Sequence, residues 1–147
     1  RFTKEANTRA RQMYEKAIEL DPQYARAYAV LGFTYLVDWA LQWGQDPQTL
    51  EKASELVQKA ITLDDSLSEA HMLLGYVSLW KNRQHDLAIA KGERALALDP
   101  NNAEGYATLA NILTFAGRPE EAIALLEKGM QLNPRAPNYP LYLFYSN

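Results

Sequence analysis

The sequence contains no cysteine among its 147 residues. That excludes disulfides, thiolate-bound zinc, iron–sulfur clusters and thiol nucleophiles, although it leaves the compartment open. Positive charge is not in excess either. Fifteen Lys and Arg against 18 Asp and Glu give a net charge of −3. A phosphate backbone needs a basic face, so nucleic acid is not the expected partner. Long apolar runs are missing as well. The longest stretches free of charge, Gly105 to Gly117 and Ala136 to Asn147, fall short of the roughly 20 apolar residues that span a bilayer. Membrane insertion is therefore not expected. Arg1-Phe2-Thr3-Lys4-Glu5 leads into no apolar region, so no signal peptide is read. This fits a cytoplasmic setting, with the periplasm as the alternative. No methionine opens the chain, and a section of a longer protein is expected.

Little in the sequence suggests catalysis. The two histidines, His71 and His85, are not spaced as i, i+4 and have no accompanying ligand set, so no metal is expected. His71 reads as a core histidine with a hydrogen-bond partner; His85 reads as part of a turn. Nucleophile elbows, phosphate-binding glycine loops and His-Glu-x-x-His are all missing. Asp64-Asp65 and Glu120-Glu121 sit where turns and helix starts are expected, and solvated carboxylates there need no catalytic role. Lys81, Arg83, Lys91 and Arg94 read as a solvated basic face. No cofactor and no enzymatic activity are expected of this segment.

What the chain does hold is a repeat. At 48% hydrophobic and 22% charged residues it has the composition of one globular domain. Within it four segments align without gaps: Lys16 to Pro22, Lys59 to Asp65, Arg94 to Pro100 and Lys128 to Pro134. Their last residues are 43, 35 and 34 apart. Small or apolar columns recur upstream, namely Ala10, Ala53, Ala88 and Ala122, then Tyr14, Val57, Gly92 and Leu126, then Ala17, Ala60, Ala95 and Gly129. The other half of each unit repeats too. Tyr28-x-x-Leu31-Gly32-x-x-Tyr35 matches His71-x-x-Leu74-Gly75-x-x-Ser78 and Tyr106-x-x-Leu109-Ala110-x-x-Leu113. Apolar residues at i, i+3, i+4 and i+7 give a helix with one buried stripe. Each unit is therefore two helices, A and B, and the small residue at Gly32, Gly75 or Ala110 lets the pair approach closely.

These columns resemble the tetratricopeptide repeat family over nearly the whole chain. The resemblance implies an all-α solenoid, a right-handed superhelix of stacked antiparallel helix pairs. Residues 1–24 hold the second helix of a truncated repeat. Repeats follow at 25–67, 68–102 and 103–136, and 137–147 begin another helix A, with Pro140 in its first turn and Tyr145 as its first core aromatic. Ser66-x-x-Glu69 and Asn101-x-x-Glu104 read as caps before helix A. Asp46-Pro47 and Pro119-Glu120-Glu121 read as starts of helix B, and Gly117 as a helix end. The first full repeat carries about nine additional residues between Asp38 and Asp46. Its Trp39 and Trp43, four apart, would share one face of a lengthened helix A. They either pack over the neighbouring pair or form an aromatic anchor for a partner.

The resemblance also implies a concave groove lined by helix A. Carrying the family's groove columns across gives Arg26, Ala29, Phe33, Leu36 and Val37, then Glu69, Met72, Tyr76, Leu79 and Trp80, then Glu104, Ala107, Asn111, Thr114 and Phe115. The Lys and Asn with which some members grip a C-terminal carboxylate are replaced by Ala29 and Phe33, and by Met72 and Tyr76. The expected partner is a protein or peptide with an apolar segment, bound through Phe33, Tyr76, Trp80 and Phe115, with Asn111 holding a backbone group. The alternative is a regulatory or dimerisation arm that acts by intramolecular contacts or by self-association into a homo-oligomer. The wording around Ala27 to Leu31, Leu73 to Trp80 and Asn133-Pro134 is similar to a bacterial subgroup. In that subgroup such repeats form the C-terminal part of class III nucleotide cyclases or winged-helix regulators. None of the catalytic or DNA-binding residues of those domains occurs here.

Overall fold

The computed structural model describes residues 3–44 and 46–135. The helix A expected from residue 137 onward, with Pro140 and Tyr145, lies outside them. Seven helices and no strand occur among the described residues: α1 (Lys4–Leu20), α2 (Ala25–Ala40), α3 (Pro47–Leu63), α4 (Ser68–Asn82), α5 (His85–Leu98), α6 (Ala103–Phe115) and α7 (Pro119–Leu132). They pack in chain order, with α2 on α3, α4 on α5 and α6 on α7 as the closest pairs. The fold is an all-α solenoid of antiparallel helix pairs.

The core forms where small columns meet larger ones. A Cβ placed on Gly75 would stand 3.2 Å from the Ala88 carbonyl oxygen and 3.2 Å from Ile112 Cδ1. A side chain there would push α4 off both α5 and α6. Gly32 is tighter, since its Cβ would meet Val57 Cγ2 at 2.8 Å. Buried Leu36, Leu50, Ala53 and Val77 join α2, α3 and α4, and a larger cluster including Leu79, Ile89, Leu109, Ile112 and Leu126 joins α4 through α7. Each apolar cluster thus bridges one pair and the next, which makes stability a chain of neighbour contacts.

The turns that follow α1, α3, α5 and α7 share one design. In three of them an Asp or Asn oxygen accepts the amide two residues on: Asp21 from Gln23, Asp64 from Ser66 and Asn133 from Arg135. At Asp64 the Ser66 hydroxyl donates as well, at 2.6 Å. The side-chain bond and then the backbone bond from Ser66 hold the Asp64 carboxyl below the usual aspartate range. This turn lacks the proline found in the others, and Ser66 supplies the fixing instead. It follows that Ser66 is not the cap of α4. That position falls to Leu67, with no side-chain bond, and the cap of α6 is Asn102 rather than Asn101. The starts of α3 and α7 are as read, with Pro47 and Pro119 in the first turn and Asp46 accepting from Gln48.

A second tie recurs across the turns after α1, α3 and α5. Tyr28 donates its hydroxyl to the Pro22 carbonyl at 2.9 Å, Tyr106 does the same to Pro100 at 2.9 Å, and His71 Nε2 donates to Asp65 at 2.7 Å. All three reach back six residues. His71 is thus a core histidine with a partner, carrying its proton on Nε2; Nδ1 is buried with no partner. His85 opens α5 rather than lying in the turn.

The insertion does not lengthen helix A through Trp43. The helix stops at Ala40 because Gln42 adopts φ 61°. The Trp43 amide then donates back to the Asp38 carbonyl at 2.8 Å and the Gln42 amide to Trp39 at 3.2 Å. The same pair of bonds closes α6 around Gly117 at φ 78°. This is the Schellman arrangement, and glycine is its usual left-handed residue. Trp39 and Trp43 therefore do not share a helical face. Trp39, half-buried, packs on the Leu36–Leu50–Val77 cluster, and Trp43 lies half-buried in the turn. Replacing Gln42 by glycine removes the cost of a left-handed side chain. Gln42→Gly is expected to raise stability by about 0.5–1 kcal/mol in urea unfolding; an unchanged or lower midpoint would contradict this.

Candidate partner-binding groove

Successive helices A touch each other, α2 with α4 and α4 with α6, whereas successive helices B among the described residues do not. Helix A therefore lines the inner, concave side. The outward stripe of each helix A follows from its period. Residues two, six, nine and thirteen fall within an arc of about 60° at roughly 100° per residue. This gives Arg26, Val30, Phe33 and Val37 on α2. It gives Glu69, Leu73, Tyr76 and Trp80 on α4, and Glu104, Thr108, Asn111 and Phe115 on α6.

Exposure decides between this stripe and the family columns. Ala29, Met72 and Ala107 at the fifth position are buried, as are Leu36 and Leu79 at the twelfth. These positions lie on the flank of helix A, where the next helix A packs against it. Leu36 and Met72 are therefore core residues and not groove lining. Thr114 is half-buried and spends its hydroxyl on the Ala110 carbonyl. Val37 is also buried, at 7% exposed; its short side chain sits in the last turn of α2, where the backbone doubles back. In place of the buried fifth-position residues stand Val30, Leu73 and Thr108, all half-buried. Sequence reading missed these three, and the helical period counted from the cap would have found them.

Phe33, Tyr76, Trp80 and Asn111 are half-buried and Phe115 is 58% exposed. The Tyr76 and Trp80 rings stack with centroids 5.0 Å apart and planes 26° from parallel. Asn111 Nδ2 donates to the Tyr76 hydroxyl at 3.2 Å. Asn111 thus ties an aromatic side chain of the neighbouring helix, using one of its amide protons. The platform rests on both main core clusters, which limits its rotamers. At the other end of the stripe Arg26 pairs with Glu69 at 3.2 Å. Among the described residues no group of three or more His, Cys, Asp or Glu could hold a metal ion. No described helix is long and apolar enough to cross a membrane.

Two profiles of the tetratricopeptide repeat match, one over residues 13–51 and one over 79–140. The chain belongs to the tetratricopeptide repeat family. Solved structures of tetratricopeptide proteins share the fold. TTC0263, a thermophilic TPR protein of Thermus thermophilus, superposes with a TM-score of 0.77 at 23% identity, over 92% of this chain and 70% of that one. A MamA protein superposes with a TM-score of 0.65 at 24% identity, over 97% and 73%. No curated protein matches the sequence. Tetratricopeptide repeats serve as protein–protein interaction scaffolds, and the helix pairs of this chain are built as such a scaffold.

A polar cluster behind the groove was not read from the sequence. Asn7, 5% exposed, donates to the Thr34 carbonyl and to Asp38 Oδ1, both at 2.8 Å. Arg11 donates to Thr34 Oγ1 and its carbonyl at 3.1 Å, to Asp38 Oδ2 at 2.7 Å, and lies 3.9 Å over the Tyr35 ring. This cluster fastens α1 to α2. Its sequence signal is Thr34, a polar residue in a column that holds Val77 and Ile112 in the other repeats.

Proposed function

We propose that this tetratricopeptide scaffold receives a partner peptide or helix in its concave groove. Phe33, Tyr76, Trp80 and Phe115 supply stacking and apolar contact. The observation that carries the reading is the half-buried Tyr76–Trp80 stack on helix A, tied to the next helix A by Asn111. Aromatic side chains fixed by packing lose little entropy on binding and make typical hot spots. A random peptide library panned on the chain tests this. Trp80→Ala is expected to weaken the selected peptides by about 2 kcal/mol, roughly 30-fold, with the helical signal intact. Peptides that bind Trp80→Ala as tightly as the parent would refute the groove.

We further propose that the chain is part of a larger bacterial signalling or regulatory protein, a reading that rests on the wording of its repeats alone. A second reading, self-association of such an arm, is favoured by α1. Met13 and Leu20 there are 69% and 78% exposed. Light scattering across concentration separates the two, since a monomer throughout excludes self-association.

A further inference from the structure

The groove is graded along helix A, and the gradient specifies its occupant. The thirteenth-position row holds Trp80 and Phe115, the ninth Tyr76 and Asn111, and the second Glu69 and Glu104. Glu69 is held by Arg26. Glu104 is exposed and has no ion-pair partner among the described residues. The rim beside it opens into a cleft of about 870 Å³ whose charged lining is Arg26, Glu69, Asp99 and Glu104. Three carboxylates there face one guanidinium, already paired. The aromatic end is therefore apolar and the rim end carries uncompensated negative charge.

We infer that the groove takes a partner segment with an aromatic or aliphatic anchor over Trp80 and Phe115 and a lysine or arginine at the Glu104 rim. This rests on the groove reading above. Phe115 and Glu104 are eleven residues apart on one helix, so anchor and cation are separated by about 16 Å. An extended peptide covers that distance in about five residues. Negative charge in the first turn of α6 also suits the helix dipole, but that role predicts no preference in the ligand. A rim charge acts on association rate and salt dependence, whereas the aromatic platform supplies the apolar contact.

The test uses the whole chain and the peptides selected from the random library. Enriched peptides are expected to carry Lys or Arg at a constant separation from an apolar anchor. Their affinity is expected to fall roughly tenfold on Glu104→Lys and with added salt. Panning repeated on Glu104→Lys is expected to enrich Asp or Glu at the same place, and Glu104→Gln to abolish the preference without reversing it. The Gln variant keeps the test open should the Lys variant disturb the start of α6, which the helical signal reports. Peptides that need Trp80 but show no basic preference would overturn the inference and leave the groove standing. Peptides that need neither Trp80 nor Tyr76 would remove both.

Discussion

Ile112→Ala is expected to cost about 3–4 kcal/mol. The side chain is fully buried in the cluster that joins α4 through α7, and its Cδ1 fills the notch left by Gly75. Backbone borders that notch on the α5 side, at the Ala88 carbonyl. The cavity cannot collapse without moving a helix, which puts the cost in the upper part of the range for such truncations. Because each repeat is held mainly by its neighbours, the damage should stay local. Urea unfolding is expected to split, with α6 and α7 melting ahead of α2 to α4. A single transition displaced by less than 1 kcal/mol would show that the repeats do not depend on this contact.

Asp38→Ala is expected to loosen α1 by about 2–3 kcal/mol. The carboxylate accepts from Asn7 and Arg11 and is only 18% exposed, with Arg11 at 20%. Removing it leaves a largely buried guanidinium without its counter-ion, the costly way to break such a pair. Arg11 keeps its bonds to Thr34 and its place over Tyr35, so the loss stays at the lower end. Amide exchange in α1 should accelerate by roughly 30- to 150-fold while α4 to α7 stay protected. Arg11→Met combined with Asp38→Leu should recover part of that protection, since no charge is then stranded. Unchanged exchange in α1 on Asp38→Ala would mean that Asn7 and the apolar contacts suffice.

The helix pairs were legible because the repeat aligns their columns, and small residues at Gly32 and Gly75 leave few ways to pack. Which helix A residues are exposed was legible only in part. Columns carried across from a family say which residues recur, not which flank of helix A the next repeat covers. Leu36 and Met72 lie on that flank. The insertion misled for a different reason. Trp39 and Trp43 have helical spacing, yet the chain leaves the helix between them at Gln42, where no glycine marks the exit. Only the bonds returning to Asp38 and Trp39 reveal it. The Asn7–Arg11–Asp38 cluster spans 31 residues of sequence, a distance over which no periodic pattern reports a contact.

Among the described residues the inner helices of this solenoid touch and the outer ones do not. Mechanically, that is a spine with its facets on the inside of the curve. Further bending is stopped by α2 against α4 and α4 against α6. Straightening meets no such stop until the outer helices meet. The curvature of the inner face therefore has a firm upper limit and a compliant lower one. A bulky guest would be accommodated by uncoiling, and a slender one could not be squeezed.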